Sequence, residues 1–112
     1  MNGKRNLWTV AIGLLIIACS SDSDIKNLGS SDELMRQKAV RQLVVKKSDQ
    51  TTVNKVIGVL RSTNTRAVLS AIEVLGSMKD SANIGALSDM AESPNPLYRA
   101  ATMRALMNIG GD

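Results

Sequence analysis

Histidine is absent from all 112 residues, so the chain lacks both the usual general base near neutral pH and the commonest metal ligand. Cysteine occurs once, at Cys19, which leaves no partner for an intrachain disulfide, and the fold must rest on its apolar core. Phenylalanine is missing too, and the aromatics are Trp8 and Tyr98 alone. That is little material for a small-molecule pocket, which is lined with aromatic and apolar side chains around convergent polar groups. No glycine-rich phosphate loop occurs: Gly110 and Gly111 follow an apolar helical stretch, whereas an anion site needs a helix start. Asp80, Asp89 and Glu92 lie close in sequence, but like charges at helical spacing read as a solvated face rather than an acid–base pair. Serines and threonines, without His or a Ser–Lys arrangement, read as caps and turns. The composition points away from an enzyme, a metal and a cofactor.

Long hydrophobic runs are also lacking. Leu7 to Ala18 is apolar apart from Thr9 and Gly13, about twelve residues where a spanning helix needs roughly twenty. With Lys4 and Arg5 before it and a small residue before Cys19, the segment reads as a secretory leader over residues 1–18 rather than a permanent transmembrane helix. Ile16-Ile17-Ala18-Cys19 resembles the lipobox of bacterial lipoproteins. The resemblance implies cleavage before Cys19, a diacylglyceryl group on its sulfur and an acyl chain such as palmitate on the new amine; several chains together give firm membrane anchoring. Family members retained in the inner membrane often carry Asp after the cysteine. Ser20 stands there instead, which points to the outer membrane, with the protein lipid-anchored in the envelope and facing the periplasm.

The formal charge of +4 includes Lys4 and Arg5. Without them twelve basic residues face ten acidic ones, a balance that speaks of solubility and not of nucleic-acid binding. Residues 19–29, the lipidated end and the polar SSDSDIKNLG, read as a flexible tether, and the folded domain is expected over residues 30–112.

From there the chain repeats itself. Arg36–Asp49, Val68–Asp80 and Arg99–Asp112 align, with Ala39, Ala71 and Thr102 equivalent and Leu43, Leu75 and Leu106 equivalent, at offsets of 32 and then 31 residues. Met35, Ala39, Val40 and Leu43 share one helical face, as do Ala67, Ala71, Ile72 and Leu75. Val53, Val56, Ile57 and Leu60 form a helix between them, matched by Ile84, Leu87 and Ala91. Ser30 with Glu33 suggests a capping box, Asp49, Asp80 and Asn64 or Thr63 stand at helix starts, and Asn95-Pro96 joins an N-cap to a proline at the first helical position. Gly76 and Gly110 read as residues that end helices. Five helices result, near 31–46, 50–62, 65–76, 81–92 and 96–109.

This pattern resembles HEAT-like repeats, of the type also seen in phycobilisome-lyase-related proteins, over Ser31 to the end as two full repeats and the leading helix of a third. Val68 replaces the motif arginine in the middle unit, and Thr102 replaces the small apolar residue in the last. The resemblance implies an all-α fold, a short α-solenoid of antiparallel helix pairs, and a binding surface as its working part. A bilin-handling role is disfavoured, because Tyr98 is the one aromatic beyond the leader.

Two surfaces stand out as candidates. Arg36, Lys38, Arg41, Lys46 and Lys47 make the first repeat cationic, either as a solvated helix face or as a contact for lipid phosphates or an acidic partner. The last helix is apolar nearly all round, and Leu97, Met103, Leu106, Met107 and Ile109 form either a strip that docks a partner or second copy, or part of the core. The chain is thus expected to be a membrane-tethered protein–protein interaction or scaffold module of the cell envelope. The alternative is a regulatory or stabilising subunit of an envelope enzyme complex. Its expected partners are other envelope proteins or a second copy of itself, with no nucleic acid and no small-molecule substrate.

Overall fold

At three helix starts the chain reads serine, one intervening residue, then the Asp or Asn that caps the helix. The hydroxyls of Ser30, Ser62 and Ser93 accept the backbone N–H groups of Asp32, Asn64 and Asn95 at 3.1, 3.0 and 3.2 Å. Those three residues then cap the following helix with their own side-chain oxygens, satisfying donors that a helix cannot satisfy internally. The N-cap of the first of these helices is therefore Asp32, and Ser30 acts one step upstream instead of forming a capping box with Glu33.

The computed structural model describes residues 21–111; the leader, Cys19, Ser20 and Asp112 lie outside them. In chain order the elements are α1 (21–27), α2 (Glu33–Val44), α3 (Gln50–Val59), α4 (Thr65–Ser77), a 3-10 turn (Ser81–Asn83) that runs into α5 (Ile84–Met90), and α6 (Pro96–Gly110). Among the described residues all regular structure is helical, an all-α short solenoid. Helix α4 lies between α2 and α6, packs most extensively on α6 and also touches α3, while α5 packs on α6. Its Val68, Ala71, Ile72, Val74 and Leu75 are completely buried, joined in one core by Leu28, Leu43, Val56 and Leu87.

The segment expected to be a tether is folded over its described part. Residues 21–27 are helical and Leu28 is 0% exposed. At the same offsets of 32 and 31, Ser21 is in register with Val53 and Ile84, Asp24 with Val56 and Leu87, and Leu28 with Leu60 and Ala91. Residues 21–111 thus hold three helix pairs, α1–α2, α3–α4 and α5–α6, in place of two repeats and a leading helix. Helix α1 escapes the apolar pattern because two of its inward positions are polar and are matched by specific partners. Lys46 Nζ donates to the Ser21 hydroxyl at 2.8 Å, and the Gln42 amide, oriented to donate, reaches the Asp24 carboxylate at 2.6 and 2.9 Å. Burial pushes the Asp24 carboxyl above its ordinary range, opposed by the nearby charges of Lys46 and Lys38. Lys55 Nζ pairs with Asp22 at 2.6 Å, and Asn64 Nδ2 donates to the Gly29 carbonyl at 3.2 Å.

At the start of α3 the Thr52 hydroxyl donates to the Asp49 carboxylate at 2.7 Å and holds its pKa below the usual value, helped by the Thr51 and Thr52 backbone. Gly76 does not end its helix. It lies inside α4, where a Cβ would come within 2.7 Å of the Ala105 Cβ and 2.8 Å of the Ala105 Cα. The turn that follows is made by Lys79, a non-glycine residue at φ 51°, in the left-handed region. Gly110 is the last residue of α6, and Gly111 closes it in an extended conformation with its N–H on the Met107 carbonyl at 2.8 Å.

Thr102 sits at the register position of Ala39 and Ala71 and is fully buried, with no hydrogen-bond partner for its hydroxyl. Replacing it by valine keeps the shape and removes the unpaired group, so Thr102→Val is expected to raise unfolding free energy by about 1–3 kcal/mol. Chemical denaturation measures this; an unchanged or lowered midpoint would show that the hydroxyl has a partner in solution.

Candidate protein-binding surface

The apolar strip expected on the last helix divides in the structure. Ile109 and Leu106 are partly buried against the core, on the side of α6 that carries Thr102 and Ala105. Leu97, Met103 and Met107 are exposed. At about 100° per residue Met103 and Met107 adjoin, while Leu97 points some 80–120° away from either, so the contiguous outward pair is the two methionines. Their register explains the exposure. Met103 corresponds to Val40 and Ile72, which are 8% and 0% exposed because the next helix of the array covers them, whereas Met103 is 54% exposed. This is the face on which each unit receives the one that follows.

The basic cluster also divides, between two sides of α2. Arg36 and Arg41 line a groove with α4. Lys38 and Lys46 face the Asp24 side, where Lys46 is engaged with Ser21, and Lys47 is exposed. The five residues do not form one patch: Lys46 and Lys47 lie in the turn after α2, where Lys46 is bound to Ser21, while Arg36 and Arg41 line the groove.

What the helices build instead is a groove across α2, α4 and α6. Its main part has a volume of about 630 Å³ and is lined by Arg36, Arg66, Ser70, Glu73, Arg104 and Asn108, over a floor that includes Gly76 and Ala105. A second part of about 350 Å³ shares Arg36, Ser70 and Glu73 and adds Glu33 and Arg41. Gly76 makes the floor possible by letting α6 approach α4, and Asn108 Nδ2 fastens the two helices by donating to the Gly76 carbonyl at 3.1 Å. Arg41, Glu73 and Arg104 stand nine residues after the N-caps Asp32, Asn64 and Asn95, so one repeat position contributes a cation, an anion and a cation across three parallel helices.

The guanidinium of Arg36 donates to the Ser30 carbonyl at 2.8 Å, and that of Arg99 makes the corresponding bond to Ser93 at 2.9 Å. Val68 stands between them in register, completely buried, because α4 is flanked on both sides. Among the described residues the one ion pair is Lys55 with Asp22; no carboxylate lies within 4.0 Å of the charged nitrogens of Arg36, Arg41, Arg66 or Arg104. Arg66 and Arg104 were not singled out by sequence reasoning. The signal for Arg104 lay in the repeat alignment, as the partner of Arg41 and Glu73; for Arg66 there was none, since its register neighbours are Leu34 and Leu97.

Among the described residues no three or more Cys, Asp or Glu side chains are placed to hold a metal ion, and no helix is long and apolar enough to cross a membrane. A family model described as HEAT repeats matches residues 22–111, and its span includes nearly all of α1. No curated protein matches the chain.

Proposed function

Since the chain belongs to the HEAT-repeat family, whose stacked helix pairs generally serve protein–protein interaction or scaffolding, we propose that it is a lipid-anchored interaction module of the bacterial cell envelope. The observation that carries the binding half of this reading is the groove across α2, α4 and α6, walled by arginines that have no carboxylate within 4.0 Å among the described residues. The module works by binding rather than by catalysis. It is held to the periplasmic face of a membrane, preferably the outer one, by acyl groups on Cys19. The order in Met1–Ser20 of positive charge, short apolar run, small residue and cysteine supports the anchor. The described part of α1 starts two positions after Cys19 in sequence.

Cys19→Ala tests the anchor. The variant is expected to lose incorporation of labelled palmitate and to leave the sedimenting membrane fraction, since a single weak attachment cannot replace several acyl chains. Wild type that takes up no labelled palmitate and stays in the membrane pellet uncleaved, as the variant does, would mean that the leader is a signal anchor and that Cys19 carries no lipid.

A further inference from the structure

We infer that the groove across α2, α4 and α6 is a seat for an extended acidic peptide segment of a partner protein, with carboxylates at its two ends and a polar or basic residue between them. This deepens the interaction-module reading above and rests on it.

The charge distribution selects the ligand. Arg36, Arg41 and Glu33 stand on the α2 side, Arg104 on the α6 side, and Arg66 and Glu73 on α4 between them, with Glu73 lining both parts of the groove. Guanidinium groups bind carboxylates through paired N–H donors, and in this chain the four lack a carboxylate within 4.0 Å among the described residues. Arg66 and Arg104 also make no side-chain hydrogen bond there, in contrast to Arg36 and Arg99, which are occupied with loop carbonyls. Arg41, Arg66 and Arg104 are therefore available, whereas Arg36 holds the Ser30 carbonyl and, on the α1 side, Lys46 and Lys55 are engaged with Ser21 and Asp22.

Shape favours a chain over a membrane surface. The floor at Gly76 and Ala105 is recessed between helices, so a flat bilayer meets the rim alone, whereas an extended backbone enters. Neighbouring packed helices lie about 8–10 Å apart, which places α2 and α6 roughly 16–20 Å from each other across α4. At about 3.3 Å per extended residue that distance is covered by roughly five or six residues. The ligand thus carries acidic residues that far apart. Glu73, on the middle helix of the three, repels a third carboxylate placed between the two ends, which gives the site a preference beyond net charge.

The probe is a labelled Gly/Ser peptide of about ten residues with glutamates roughly six positions apart, set against its glutamine and lysine counterparts and against vesicles containing phosphatidylglycerol. Binding is measured by fluorescence anisotropy with the purified full chain in detergent solution, so the result does not depend on whether Cys19 is acylated. The glutamate peptide is expected to bind in low salt and the other two not. Arg66→Glu with Arg104→Glu should weaken it about tenfold or more; Arg66→Gln with Arg104→Gln should weaken it less. Glu73→Gln should strengthen binding of a peptide with a third glutamate at its centre. Thermal melts serve as the fold control, and both arginines are exposed and free of intramolecular bonds. Equal affinity of wild type and the charge-reversed variant, or arginine-dependent binding to the vesicles with none to the peptide, overturns the proposal. Crosslinking in cells separates its failure from that of the broader reading: partners captured equally by wild type and variant, with no peptide binding, remove the groove alone, and no partner with either removes the interaction module.

Discussion

Leu28→Ala is expected to cost about 2–5 kcal/mol of unfolding free energy, the range for truncating a leucine in a packed core. Leu28 is completely buried and belongs to the same cluster as Leu43, Val56 and Leu75, so its removal leaves a cavity between α1 and the rest of the array. For a domain of this size each kcal/mol is worth about 4–8 °C in melting temperature, and a drop of roughly 8 °C or more should appear in a far-UV circular dichroism melt. Asp22→Ala, by contrast, removes a partner of Lys55 in an ion pair whose side chains are 42% and 68% exposed, and exposed pairs contribute about 0–1 kcal/mol. The leucine, not the ion pair, holds α1 in place. A Leu28→Ala melt that coincides with wild type would show that the segment before Gly29 is a tether in solution.

Gly76→Ala and Gly58→Ala should have opposite signs. Each replaces a helical glycine, and each gains up to about 1 kcal/mol of helix propensity. At Gly58 a Cβ meets nothing within 4 Å, so the gain survives and stability rises by about 0.5–1 kcal/mol. At Gly76 the new methyl meets the Ala105 Cα at 2.8 Å. Backbone cannot rotate away as a side-chain tip does, so α6 must shift from α4 along their extensive contact. Overpacking of this kind costs typically about 1–3 kcal/mol, which exceeds the propensity gain, and the shift also strains the Asn108 bond to the Gly76 carbonyl. Denaturant midpoints for the pair decide the matter. Stabilisation by Gly76→Ala would mean that α4 and α6 do not cross so closely, and the recessed floor of the groove would go with it.

Much of the fold was readable because local chemistry and periodicity agreed. Asp49, Asn64, Asp80 and Asn95 were legible as helix starts, and the caps are where those residues stand. The 31–32 residue offset and the faces of Ala39, Leu43, Ala71 and Leu75 announced helix pairs, and these four residues are buried. Helix α1 was not legible, since Ser21 and Asp24 occupy positions that are apolar in the other units, and a periodicity argument sees residue types rather than the hydrogen bonds that make polar ones tolerable inside. Gly76 was misread as a helix end for a related reason. Glycine marks both a left-handed cap and a close approach, and only the position of Ala105 tells which.

The binding surface shows the same division more sharply. Charge along the chain grouped Arg36, Arg41 and Lys46 because they are near in sequence, yet the turn after α2 carries Lys46 to Ser21, while both arginines share a groove with Glu73 on α4 and Arg36 also shares one with Arg104 on α6. By itself the sequence determined the helical architecture, its repeat length, most of its caps and the absence of histidine, all of which depend on residue type and on spacing within about one turn or one repeat. The tertiary structure alone decided that α1 belongs to the array, that α6 closes on α4 through Gly76, and that arginines from three helices share one groove. Those outcomes depend on which side chains residues some 30 positions apart present to each other, and that is settled by packing between helices, about which the order of residues within any one of them says nothing.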